Sequence, residues 1–289
     1  MTAKAFTLFL VLGVAPGFCQ TPSAGSQTAS SQKRFDSADA ATQALIDAAS
    51  QNDTAALKSI LGSSAKGILT SGDAKQDEAE RQEFARIAGQ KHHLEKSSMN
   101  SHVMVLLVGD QDWPFPIPLL EQGGKWRFDP ARGAQEVRAR EIGENELDAI
   151  QACAAFVGVQ QEFAAKKRSA AGTPVYAERV ADSEVPKEFA AAAGDHPTRP
   201  YHGYYFHVLK QQGPSAPGGR HSYVLTKTAK PGDGMIGGFA LVAWPAVYGT
   251  SGVHTFMVNQ DGTVYEKDRG PQAAPVLSFD PDPSWVPVD

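Results

Sequence analysis

Cysteine is scarce: Cys19 and Cys153 are the only two in 289 residues. Cys19 falls in or beside an apolar leader, which leaves Cys153 alone and excludes an intramolecular disulfide framework. A chain of this length can bury a sizeable core without such staples. A lone thiol in a helical pattern reads most simply as a small buried apolar side chain. Basic tracts are missing as well. The 27 Lys and Arg stand against 32 Asp and Glu, a net charge of −5, with no aromatic-basic interleaving. That excludes the footprint of a protein tracking a phosphate backbone, so nucleic acid is not an expected partner. Beyond the leader no apolar run approaches the roughly 20 residues a membrane helix needs. No membrane span is expected once the leader is removed, and no internal repeat has a fixed period.

Signatures of catalysis are missing too. His92 and His93 are adjacent, so on a helix they would diverge. His202 and His207 are five apart, which puts them on opposite faces of one strand. His221 and His254 are scattered through the same β-rich region, and no compact metal-ligand spacing occurs. Gly249-Thr250-Ser251-Gly252 is not the G-x-S-x-G of a nucleophile elbow, and strand patterns flank it on both sides. The pairs Gly218-Gly219 and Gly237-Gly238 open no helix, as a phosphate loop would require. Asp280 and Asp282 sit in a proline-broken tail, FDPDPSW, without the other oxygen ligands of a calcium loop; Trp285 there reads as an anchor that packs the tail. Carboxylates such as Glu141 and Glu144 read as a solvated helix face. The sequence therefore nominates no catalytic residue, no cofactor and no metal.

What is present begins with a leader. Lys4 supplies a positive n-region, Ala5–Val14 an apolar core of about ten residues, and Pro16-Gly17 a break before small and polar residues. Residues 1–20 read as a secretory signal peptide, with cleavage after Gly17, Cys19 or Gln20, and Cys19 also raises lipid attachment. The expected location is outside the cytoplasm, periplasmic or secreted. Residues 21–34, TPSAGSQTASSQKR, read as a flexible linker.

Residues 35–133 read as an N-terminal α+β domain. Ser37 caps a helix with Ala41, Leu45, Ala48 and Ala49 on one face. A second helix runs from Thr54 to Leu61, stopped by Gly62, and a third covers residues 76–90. Strand patterns follow at His102–Val108 and Lys125–Asp129, the latter after a Gly123-Gly124 turn. Trp113–Leu120 carries Pro114, Pro116 and Pro118, which predicts an edge strand or extended arm. Residues 134–289 read as a second domain. A long helix over 134–168 has Leu147, Ile150, Ala154 and Val157 on its apolar stripe, widened by Phe156 and Phe163, with Glu146 and Gln160 on the polar side and an interruption or kink expected at Gly143. An antiparallel meander follows, with strands at Tyr201–Leu209, Ser222–Thr226, Ile236–Trp244 and Val253–Asn259, and a hairpin at Asp261-Gly262. The fold class is α+β: N-terminal helices plus a small antiparallel sheet, then a long helix packed on a C-terminal antiparallel sheet.

Two resemblances attach to particular blocks. WPFPIPLLEQGGKWRFD, EIGENELDAI, YHGYYFHVL, GGFALVAWPAVYGTSGVHTF and VNQDGTVYEKD together resemble the bacterial family named domain of unknown function 2950, over roughly residues 35–289. That resemblance implies an exported setting and no particular activity. The helix bearing Asn145, Glu146, Ala149 and Ile150, the Gly203-Tyr204-x-Phe206 strand, Ala243-Trp244-Pro245, and Tyr248-Gly249 with Ser251-Gly252 resemble type IV pilin and pseudopilin heads. Pilins enter filaments through an apolar N-terminal helix. Here a polar-faced domain precedes residue 144, so the resemblance implies a pilin-like head on another scaffold.

The aromatic set decides the functional expectation. Alternation puts Tyr204 and Phe206 on one sheet face and Tyr205 on the other. One face covers the helix; the other offers Tyr201, Tyr205, Trp244 and Tyr248 as a candidate binding surface. The chain thus reads as an exported, non-enzymatic structural or interaction protein with an envelope protein or glycan as partner. The alternative is a ligand-binding or hydrolytic protein using a pocket in the N-terminal α+β domain.

Overall fold

The computed structural model describes residues 32–62, 65, 70–98, 100–169, 171–224 and 234–288. The expected signal peptide at 1–20, with Cys19, and residues 21–31 of the expected linker lie outside the described residues, as do residues 225 and 226 of one expected strand. The chain divides into two compact units at Arg138 and Ala139.

In the first unit, three helices are set by their caps. Ser37 Oγ accepts the Ala40 N–H at 3.0 Å and starts α1 (Ala38–Ser50). Asp53 accepts from Ala55 and Ala56 and starts α2 (Thr54–Leu61). Asp73 does the same for α3 (Ala74–Gln90) through Lys75 and Gln76. Each side chain satisfies N–H groups that the first turn leaves without helical partners. A sheet follows: β1 (His92–Lys96), β2 (Val103–Val108), β3 (Trp113–Pro114), β4 (Leu119–Gln122) and β5 (Lys125–Phe128), ordered β1-β2-β4-β5 with β3 also on β2. Leu45, Leu61, Phe84, Leu106, Ile117 and Phe128 close the core between helices and sheet.

The sheet corrects two expectations. The proline-bearing segment is not simply an edge. It runs along β2 as an interrupted strand, and its second half, β4, lies inside the sheet between β2 and β5. The prolines are tolerated because Pro114 and Pro118 flank the interruption, where Phe115 still donates to Leu106 and the Pro118 carbonyl accepts from Asp129. His92 and His93 lie on a strand instead of a helix. That strand was missed because HHLEK carries no alternating apolar signal and is mostly exposed. The Gly123-Gly124 turn is found as expected, with φ of +63° and +72°, the pair of left-handed residues that a two-residue hairpin loop demands.

A 37-residue helix, α4 (Pro130–Lys166), begins in the first unit and runs without a break through Gly143. In the second unit it covers an antiparallel sheet. The strands are β6 (Tyr204–Leu209), β9 (Ala240–Pro245), β10 (His254–Asn259), β11 (Val264–Asp268) and β12 (Val286–Pro287), ordered β12-β11-β10-β9-β6. A short helix α5 (Lys187–Ala191) and a two-strand pair, β7 (Gln211–Gln212) with β8 (His221–Ser222), complete the unit. The α+β class and the C-terminal antiparallel sheet are as the sequence predicts.

The phase of α4 is only partly so: Phe156, Val157 and Cys153 are buried as expected, but Leu147 and Ala154 are exposed. Its buried row is Ala149, Cys153, Phe156, Val157, Gln160 and Ala164, while Leu147 is 59% exposed. Gln160 belongs inside because its amide both donates to and accepts from the Ala177 backbone, at 3.0 and 2.8 Å. A polar side chain with a paired amide sits in a core as well as an apolar one does.

Candidate binding site

The sheet register assigns the faces of the second unit. Phe206 pairs with Ala243, and Ala243 with Phe256; all three are fully buried beneath α4. Alternation then turns their neighbours outward. Tyr205 is opposite Trp244 in the register, with ring centroids 6.1 Å apart. His207 and Val242 follow on the same outer face.

The loop leading into β10 is fixed from the helix side. Glu146 Oε1 accepts the N–H of Val253 at 2.8 Å and of His254 at 3.0 Å, and lies 3.2 Å from His254 Nδ1. Asn145 Nδ2 donates to the Ser251 carbonyl at 3.0 Å. Ser251 Oγ is occupied within its own turn, accepting from Val247 N–H at 2.9 Å. Tyr248 leaves that turn and donates its hydroxyl to the Asp268 carboxylate at 3.0 Å. That carboxylate and the partial burial of the ring push the Tyr248 phenol up from its ordinary value, so it remains a neutral donor.

On the outer face these parts enclose a concavity of about 480 Å³. Val242, Trp244 and Thr255 form its floor. Tyr248 stands at one end, and His207 with Asp195, 3.7 Å apart, at the other. The segment from Arg269 to Leu277, with Pro271 and Pro275, forms the remaining wall. Arg269 is half-buried, and one of its N–H groups donates to the Ala274 carbonyl at 2.7 Å. Among the described residues no carboxylate pairs with it. Burial lowers its pKa, the sign of a cation short of solvent.

Of the four aromatic residues nominated by the sequence, Trp244 and Tyr248 line this groove, and Tyr205 flanks Trp244. Tyr201 is elsewhere: it packs its ring edge-on to Phe189 at 5.6 Å and belongs to the rim of the core. The tight turn at His202-Gly203, both with positive φ, sets it apart from the strand. His202 is therefore in a turn, not on the strand face expected for it, and it pairs with Asp148 at 2.7 Å. Sequence reading missed Arg269, His207 and Asp195 as groove residues. Only the register past Asp268 could have found Arg269.

Other chemistry is sparse. Among the described residues no group of three or more His, Cys, Asp or Glu side chains could hold a metal ion. Cys153 is fully buried and its thiol is pushed up to about 12 by that burial, so it is no nucleophile. Trp285 is buried against the core as the anchor expected of it. The first unit has concavities of its own, one of about 240 Å³ beside Leu57, Asp77 and Arg81 and one of about 290 Å³ beside Phe84, Ile87, Val108 and Trp113. In the larger of these the charged groups are solvent-exposed: Arg86 and Lys91, paired with Glu83 and Asp112, and Asp110. Among the described residues no helix is long and apolar enough to cross a membrane.

Fold and groove together define an α+β protein of two units, with a mixed polar and aromatic groove on the outer face of its C-terminal sheet. The chain belongs to the family described as "Protein of unknown function (DUF2950)", whose model matches residues 32–188 and again 181–288. No curated protein and no solved structure matches it, so the pilin resemblance finds no counterpart among solved folds.

Proposed function

We propose that this is an exported protein of the envelope or secreted space that works by binding, and that the outer face of its C-terminal sheet meets an envelope protein or glycan. The leader sequence supports export. The observation that carries the binding reading is the groove itself, where Trp244 and Tyr248 share a concavity of about 480 Å³ with a half-buried Arg269 that no carboxylate among the described residues pairs with. Pockets of this size, mostly apolar with a few placed polar groups, are the usual ground for ligands. The alternative of a site in the N-terminal unit has less support, because its concavities are smaller and the buried charges at one of them, Asp77 and Arg81, are engaged with Ser71 and Asn52.

The test uses protein recovered from the periplasm or medium of its host, with a mature N-terminus between about residues 18 and 25. Retention of this protein on washed envelope fractions is compared with that of Trp244→Ala, after circular dichroism shows the variant folded. Loss of a bound aromatic anchor typically costs 2 kcal/mol or more, roughly thirtyfold in affinity. Equal retention of the two proteins would count against the surface.

A further inference from the structure

The groove is built as more than an apolar slot. Its floor offers the indole of Trp244 beside Thr255, in reach of two polar ends: the Tyr248 hydroxyl with Asp268, and His207 with Asp195. Register fixes where Arg269 stands. His254 pairs with Asp268 and Thr255 with Lys267, so one step further puts Arg269 opposite Val253, on the same outward face as Thr255. A guanidinium carries five donors in a planar fork, and the one bond to Ala274 leaves the rest of that fork for a ligand. Holding such a cation half out of water is unfavourable unless an anion meets it.

Resting on the binding reading above, we infer that the groove is a saccharide site selective for a carboxylated sugar, its ring on Trp244 and its carboxylate on Arg269. An aromatic face covers the apolar side of a sugar ring, while flanking hydroxyl, imidazole and carboxylate groups suit its hydroxyls as both donors and acceptors. Guanidinium and carboxylate match as a bidentate pair. The volume suits a ligand of one or two rings. A peptide is disfavoured on two grounds. Strand addition needs a free sheet edge, and on β6 both outward backbone groups of Phe206 are occupied, by the Ala192 carbonyl and the Gly194 N–H. The groove also lies across the sheet face, and at its β6 end Gly194 and Asp195 already cover the strand.

The experiment titrates the purified full chain with digalacturonate and with its neutral counterpart, digalactose, followed by tryptophan fluorescence and confirmed by calorimetry. The acidic disaccharide is expected to bind at least tenfold more tightly. Arg269→Gln should erase that preference, and Arg269→Lys, which keeps the charge and loses the fork, should retain part of it. Trp244→Ala should weaken both sugars. Equal affinity of wild type for the two sugars overturns the assignment, as does an acid preference that survives Arg269→Gln. Binding of a short acidic peptide in place of either sugar overturns it too. Envelope retention that depends on Trp244 without any saccharide binding overturns the sugar assignment alone; absence of both overturns the binding reading as well.

Discussion

Glu146 gathers the Val253 and His254 N–H groups and lies 3.5 Å from the Tyr204 hydroxyl, which itself donates to the His254 carbonyl at 2.9 Å. One carboxylate on the long helix thereby fixes where β10 begins and so where the Tyr248 turn stands. Replacing it with alanine leaves two part-buried N–H groups without that acceptor. Glu146→Ala should cost about 1–3 kcal/mol and lower Tm by several degrees, read by thermal denaturation. Gly252 serves the same junction: a Cβ there would overlap the Tyr204 hydroxyl and ring, which are buried and cannot retreat. Gly252→Ala should destabilise by roughly 1–3 kcal/mol; an unchanged Tm for either variant would show that the junction does not hold the loop. At this scale the sequence was legible where a residue acts through period alone. Tyr204 and Phe206 inward with Tyr205 outward follows from alternation. Glu146 and Gln160 were misplaced on the solvent side, because their partners lie 107 and 17 residues away in the chain.

The starts of α1 and α2 were legible, since Ser37 and Asp53 act on N–H groups two or three residues on, whereas α3 and α4 begin two and four residues before the positions read from the sequence. Phase and pairing were less so. The expected stripe and the true row share Phe156 and Val157 and have the same spacing, and the partner of Gln160 is what turns the helix away from Leu147 and Ala154. At the start of α3, the Asp77 carboxyl shows how an element's entry is secured. Burial alone would raise its pKa, but the N–H and hydroxyl of Ser71, the hydroxyl of Thr70 and the charge of Arg81 together hold it below its ordinary value of 3.8. A depressed carboxyl contributes stability that is complete above its unfolded value and is lost as pH falls through its folded one. The Tm difference between wild type and Asp77→Asn should therefore be full near neutrality and shrink below about pH 4. A difference that stays constant, or grows, on acidification would refute this.

Each of the two units closes a core of its own, the first around Phe84 and Phe128, the second around Phe206, Phe239 and Phe256. Units with separate cores are expected to fold separately. A fragment beginning near Ala134 should show one cooperative thermal transition; an unfolded fragment beside a stable full chain would mean that the second unit needs the residues removed. The outer strands of the C-terminal sheet carry a further consequence. At one margin stands β12, two residues long, in which Pro287 offers no N–H. At the other, Ala193 bridges Phe206 in parallel and occupies its backbone. Bare sheet margins are templates on which copies of a chain stack into insoluble β-aggregates. Here both margins of the C-terminal sheet are blunted by the chain itself, so at high concentration this sheet should not recruit strand after strand, and its aromatic face can stay open to solvent without the sheet becoming a seed.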